Sequence, residues 1–194
     1  QRQMCIRDSI RAVENEILSS KICRCFDCRQ VLYEESMFDG QKVSKSRIIT
    51  SVDYSMVSME AFEIYATNHD IHVMDFVLKL DAYSYYMMNL LDYLIGNTDR
   101  HWGNWGFLVD NRTNQPVRLF DLMDLNQTFL AYDTPDGANC MTTGNRKMSQ
   151  REAAVEAVKN IGLNQKDEIK DEWFKGREKE REMFWCRFGI LKEQ

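Results

Sequence analysis

Asp99, His101 and Asn104 bring a carboxylate, an imidazole and a carboxamide into six residues of the stretch Gly96-Asn97-Thr98-Asp99-Arg100-His101-Trp102-Gly103-Asn104-Trp105. A second carboxylate, Asp121, follows a short apolar run later, and Asp124 lies three residues beyond it. This set suits phosphoryl transfer, which asks a protein for a carboxylate near the attacking hydroxyl and for oxygen ligands that hold Mg²⁺ on the phosphates. Mg²⁺ takes one or two carboxylates with amide or phosphate oxygens and water. By residue type, Asp99 serves as base or orienting group, and Asn104 and Asp121 serve as metal ligands. The spacing Asp121-Leu-Met-Asp124 leaves Asp124 as a rival for the second ligand position.

Two elements must position this set. Asp81 opens a helix whose Tyr83, Tyr86, Met87, Leu90 and Leu94 share one side, widened by Leu91 and Ile95. Such a helix is buried and delivers the loop at its end. Residues 105–109 and 117–120 then read as a hairpin across the polar run 110–115, carrying the chain out and back so that Asp121 returns beside Asn104.

The rest of the chain supplies the frame. Ser9 caps a first helix with the approximate stripe Ile10, Val13, Ile17 and Ile22. Residues 29–35 and 43–51 read as strands around Phe38-Asp39-Gly40, an Asp-Gly hairpin signal. Asp53 or Ser55 caps a second helix with Val57, Ala61, Ile64 and Tyr65 on one face, and Asp70 opens a third with Val73, Phe76, Val77 and Leu80. Residues 133–149 read as a loop. Ser149-Gln-Arg-Glu152 is a capping box for a helix that Gly162 stops, and Asn164 caps a further helix carrying Ile169, Trp173 and Phe174. The charged run 175–181 reads as a solvated helix face. Trp102, Trp105 and the methionines read as packing residues, and His69 and His72 as surface residues.

The 194 residues, 44% hydrophobic and 28% charged with a formal net charge of −5, describe a globular chain without the global field that attracts nucleic acid or an anionic membrane. No apolar run is long enough for a transmembrane helix, and residues 1–8 lack the apolar core of a signal peptide. Cys23, Cys25 and Cys28 cluster, but a zinc site needs a fourth ligand at matching spacing; reduced thiols in a cytoplasmic protein are the expectation.

The run Asn97-Thr98-Asp99-Arg100-His101-x-x-Asn104, followed by Leu119-Phe120-Asp121, resembles the catalytic loop and metal-binding segment of HipA-like serine/threonine kinases. This bacterial family is related to the phosphatidylinositol-kinase type of protein-kinase-like fold. The resemblance implies an α+β protein-kinase-like fold, with a mostly helical large lobe, a catalytic β-hairpin and a partial small lobe. It implies ATP and Mg²⁺ as cofactors and transfer of the γ-phosphoryl group to a Ser or Thr hydroxyl of a protein substrate. Asp99 would be the catalytic base, with Asn104 and Asp121 on Mg²⁺; His101 would support the loop by hydrogen bonding or contact phosphate. Glu16 would be the acid that pairs with the ATP-anchoring Lys, and Thr50, Ser51 and Asp53 would lie at the hinge where adenine stacks.

On this pattern residues 1–8 are a fragment edge, 9–53 the remnant of a small lobe and 54–194 the large lobe. The Gly-rich phosphate loop and the ATP-anchoring Lys have no counterpart after Ser9, so weak activity is expected of this chain alone. A regulatory protein partner fits the family pattern; nucleic acid and membrane do not fit the charge. The alternatives are a non-catalytic kinase-like module of toxin–antitoxin type and a small-molecule or lipid kinase on the same fold.

Overall fold

The computed structural model describes residues 2–5, 10–129, 134–143 and 147–194. Ser9, expected as the first cap, and Asp133, expected to begin the 133–149 loop, lie outside them. The chain is α+β, with five α-helices and two three-stranded antiparallel sheets among the described residues.

The first sheet has the order β1-β3-β2, from Arg2–Cys5, Gln41–Arg47 and Tyr33–Phe38. Its hairpin turns at Asp39 and Gly40, both with positive φ (48° and 75°), as a two-residue turn between twisted strands requires. Arg2–Cys5, expected to lie outside the fold, is instead a strand that pairs with β3 from Arg2 opposite Arg47 to Cys5 opposite Ser44. Helix α1 (Ile10–Cys23) packs on this sheet. Its buried face carries Asn15, Glu16, Ser19 and Ser20 beside Val13, Ile17 and Ile22, which explains why its apolar stripe is only approximate. These buried polar groups find partners: Asn15 Nδ2 donates to Thr128 O (2.6 Å), and the Ser19 and Thr128 hydroxyls lie 2.8 Å apart.

The second sheet runs β4-β5-β6, from Tyr54–Ser58, Gly106–Asp110 and Gln115–Leu119. Residues 54–58, expected to begin a helix, form its outer strand. Asp53 and Ser55 do not cap a helix; Ser58 does, accepting from Ala61 N–H (3.2 Å) at the start of α2 (Met59–Asn68). Gly106 is required where β4 meets β5, because a Cβ there would fall 2.1 Å from Val57 O.

The two helices expected from Asp70 and Asp81 are one, α3 (Val73–Leu94), kinked at Asp81 (φ −156°, ψ 64°). Asp81 caps the second half from within, its Oδ1 accepting from Ser84 N–H (3.2 Å). Beyond the kink, Leu90, Leu91, Leu94 and Ile95 are fully buried, and each such burial contributes roughly 1.5–3 kcal/mol. Phe62, Phe76 and Phe107 close the core between α2, α3 and β5, with ring centroids 4.8–5.6 Å apart.

Helix α4 (Gln150–Ile161) has the full Ser149–Glu152 capping box and ends at Gly162 (φ 75°). Asn164 does not open an α-helix; only a 3₁₀ turn, Asp171–Phe174, precedes α5 (Glu178–Lys192). The charged run is not wholly solvated, since Arg177 and Glu180 are buried.

Candidate active site

Helix α3 ends at Leu94, and the chain enters the loop 95–104 with its polar groups directed by one buried ion pair. Arg100 Nε and Nη2 donate to the two oxygens of Asp92 (2.8 and 3.1 Å), and Asn97 Nδ2 donates to the same carboxylate (2.8 Å). Burial by itself lowers the Arg100 pKa, but the charge and hydrogen bonds of Asp92 outweigh it and hold the guanidinium above its ordinary value. The remaining nitrogen, Nη1, donates to Asn104 O and to Met123 O, each at 2.7 Å. One side chain therefore joins the two ends of the Asp99–Asn104 loop to the segment that carries Asp121. From the other side, Gln150 Nε2 at the start of α4 donates to Asn97 O (2.5 Å).

Within this frame Asp99 and Asn104 meet. Asn104 Nδ2 donates to Asp99 O (2.9 Å) and to Asp99 Oδ2 (3.3 Å). That network fixes the amide orientation and leaves Asn104 Oδ1 as an acceptor for another group. Asn97 Oδ1 accepts from Asp99 N–H (3.1 Å), a local turn that sets the backbone of Asp99. His101 is half-exposed; its Nδ1 accepts from Gly103 N–H (3.0 Å), which puts the ring proton on Nε2, 3.9 Å from Asp99 Oδ1. His101 thus supports the loop. Trp102 donates to Met141 O (2.9 Å) and packs edge-on to the buried Trp105, as expected of packing residues.

Asp121 is delivered by β6. Asp81 Oδ2, at the α3 kink, accepts from Leu119 N–H (3.1 Å) and from Arg29 Nη2 (2.6 Å). Leu122 then pairs with the stretch 29–31: Leu122 N–H donates to Arg29 O (3.0 Å) and Val31 N–H to Leu122 O (2.9 Å). Asp121 is thereby held between the end of β6 and the stretch 29–31 that precedes β2. Its Oδ1 accepts from Arg118 Nη1 (2.5 Å); no donor to Oδ2 is present among the described residues.

Asn104 and Asp121 line one cavity of about 380 Å³, with Cys28, Tyr83, Met87 and Arg100 among its other walls. Burial, and then the Asp121 charge, push the Cys28 thiol up to about 12, so it stays protonated at neutral pH. The oxygen set of this corner, one carboxylate and one amide with open acceptor positions, fits Mg²⁺. Asp124, the rival ligand, has a positive φ of 55° and its N–H donates to the Tyr33 hydroxyl oxygen (3.1 Å); its charge acts on Arg100, which lines the same cavity.

The four residues expected around the nucleotide do not line this cavity. Glu16 is buried on α1, where its Oε2 accepts from the Ser44 hydroxyl of β3. Thr50, Ser51 and Asp53 lie on the exposed connection between the sheets; Ser51 Oγ accepts from Asp53 and Tyr54 N–H (3.1 and 3.2 Å), forming a turn into β4. His69 and His72 are exposed, as expected. Among the described residues no group of three His, Cys, Asp or Glu side chains could hold a metal ion, and Cys23, Cys25 and Cys28 are free thiols.

Asp81, Asp92 and Arg118 are the positioning residues that motif spacing passes over. Asp92 leaves a trace in the sequence: a carboxylate inside Leu90-Leu91-Asp92-Tyr93-Leu94 is a charge within a buried face, which requires a buried partner.

No protein-family model matches the chain, and no curated protein matches it in sequence. Its fold has a match among solved structures: the crystal structure of a Helicobacter pylori proinflammatory kinase, CtkA, superposes with a TM-score of 0.69 over 99% of this chain and 84% of that one, at 14% identity. The chain shares the fold of that kinase structure. No helix among the described residues is long and apolar enough to cross a membrane.

Proposed function

We propose that the chain is an ATP- and Mg²⁺-dependent phosphotransferase of the HipA-like serine/threonine kinase type, acting on a protein hydroxyl. The observation that carries this reading is the sharing of Asn104. Its Nδ2 is committed to Asp99, while its residue lines the same cavity as Asp121. In this reading Asp99 orients the acceptor hydroxyl and takes its proton. Asn104 Oδ1 and the Asp121 carboxylate hold Mg²⁺, which when bound neutralises charge on the phosphates. His101 keeps the Asp99 loop in register through its bond with Gly103. Glu16 and the 50–53 connection lie outside that cavity; in this reading they would serve only a part of the nucleotide that extends beyond it, Glu16 as the acid for an anchoring cation and residues 50–53 at the adenine edge. The fold likeness to a kinase supports the class; the acceptor rests on the motif alone.

One observation favours a second reading, a non-catalytic kinase-like regulatory module. Arg118 already occupies Asp121 Oδ1, as it would in a site that no longer binds metal. Incubation with γ-labelled ATP and Mg²⁺, followed by phosphopeptide mapping, separates the two. The phosphotransferase reading expects labelled Ser or Thr that disappears in Asp99→Asn; absence of label on the chain or on any protein substrate supports the regulatory module.

A further inference from the structure

Helix α1, strand β3 and the turn before α5 enclose a groove of about 390 Å³, away from the corner that holds Asp121. Although the whole chain carries −5, this groove gathers five cations, Arg11, Lys21, Lys42, Lys175 and Arg177, against two acids, Glu14 and Glu35. Two of the cations are compensated. Lys42 reaches Glu35 (3.0 Å) and Glu14 (3.8 Å), and Arg11 pairs with Glu180. Lys21 and Lys175 have no acidic partner among the described residues.

Arg177 is the anchor. It is 9% exposed and lines the groove. Its Nη2 donates to Asn15 Oδ1 and its Nη1 to Glu14 O (3.4 Å), while Nε finds no acceptor among the described residues. Glu180 lies 3.7 Å away but is shared with Arg11. Burial, and then the neighbouring Arg11, pull the Arg177 pKa down to about 10, with Glu14 acting in the opposite direction. Asn15, held by Arg177, also donates to Thr128 O (2.6 Å), so the groove's anchor is joined to the segment that follows Asp121.

We propose that this groove binds a phosphomonoester dianion carried on a protein segment. A guanidinium with flanking ammonium groups matches the charge and acceptor geometry of such a group, and a phosphorylated side chain supplies nearly two charges at neutral pH. The groove exceeds what a phosphate group alone fills, and the partly buried Trp173, with Ile17 and Leu18, offers apolar wall for the peptide on either side. The source of the ligand rests on the proposed phosphotransferase reading, since a phosphorylated Ser or Thr is that reaction's product. The groove itself stands on its own residues.

The test is an NMR titration of the ¹⁵N-labelled chain with an Ala-Ala-phosphothreonine-Ala-Ala peptide, its unphosphorylated form and inorganic phosphate. The phosphopeptide is expected to shift the Trp173 indole N–H saturably and to bind at least tenfold more tightly than either control. A Lys21→Glu/Lys175→Glu variant is expected to lose at least tenfold in that affinity at an unchanged melting temperature. Lys175→Ala serves as the milder variant, with a several-fold loss. Equal binding of both peptides, or unchanged phosphopeptide affinity in these variants, overturns the proposal; inorganic phosphate binding as tightly as the phosphopeptide overturns the protein-borne ligand. Titration of the same samples with Mg²⁺–ATP separates the two claims. Phosphopeptide binding without nucleotide binding overturns the phosphotransferase reading alone, and nucleotide binding without phosphopeptide binding overturns the groove alone.

Discussion

Arg100 and Asp92 form a buried ion pair, 2.8 Å between Nε and Oδ2, with side chains only 3% and 5% exposed. The pair lies beneath the Asp99–Asn104 loop and reaches, through Arg100 Nη1, the backbone of Met123. Charges this deep are tolerated because every Arg100 nitrogen has an acceptor and both Asp92 oxygens have donors.

Removal of one partner strands the other. Asp92→Ala is expected to cost about 3–5 kcal/mol, read by urea denaturation, because Arg100 is left charged and unpaired. Asp92→Leu/Arg100→Met is expected to recover part of that loss while leaving the loop unanchored and the protein without phosphotransfer. A single-variant cost under about 1 kcal/mol would contradict the clamp.

If Asp121 holds Mg²⁺ as proposed, Arg118, which donates to its Oδ1 (2.5 Å), competes with the metal. Arg118→Gln removes a cation from a partly buried carboxylate and is expected to tighten Mg²⁺ binding about fivefold, or ~1 kcal/mol, as measured by calorimetry in the presence of nucleotide. Unchanged or weaker binding would show that Arg118 instead holds Asp121 in its working orientation.

The sequence and the structure agree where the signal is local. Asp39-Gly40 needs positive φ at both positions, Ser149 and Glu152 satisfy each other across one helical turn, and Leu90, Leu91 and Leu94 form the buried stripe of α3 beyond Asp81. They part where distant partners decide. Residues 54–58 carry helical spacing when read on to Tyr65, yet Tyr54 pairs with Asp110 and Ser58 with Gly106, so the strand exists only because β5 lies beside it. Arg177 looks solvated within its charged run until Asn15, distant in sequence, supplies an acceptor. For the site, the motif named Asp99, Asn104 and Asp121 but was silent on Asp81, Asp92 and Arg118, because no spacing rule encodes a clamp assembled from different elements.

Alkaline pH offers a separate check on packing. Burial raises the hydroxyl of Tyr85 from 10.0 to about 12, so the folded state favours the protonated form. The stability this represents is fully present below pH 10 and is lost as the pH rises through 12, on the order of 2–3 kcal/mol for Tyr85. The Cys28 thiol, raised from 9.0 to about 12, begins its loss earlier, from pH 9 upward. Urea denaturation at pH 8, 9, 10 and 11 is expected to show a flat region and then a decline that becomes shallower in Tyr85→Phe. An equal decline in that variant would place the titration elsewhere.

In the proposed phosphotransferase, Asn104 and Asp121 would hold Mg²⁺ for a nucleotide while Asp99 serves the chemistry. The melting temperature with ATP, with and without Mg²⁺, tests it most directly. With nucleotide at about 100 times its dissociation constant, linkage gives roughly 2.7 kcal/mol, or about 5–10 °C for a domain of this size. That rise is expected only when Mg²⁺ is present, with its loss in Asp121→Ala and its retention in Asp99→Asn. A wild-type chain that does not respond to Mg²⁺–ATP, or an Asp121→Ala variant that responds as the wild type does, would contradict it.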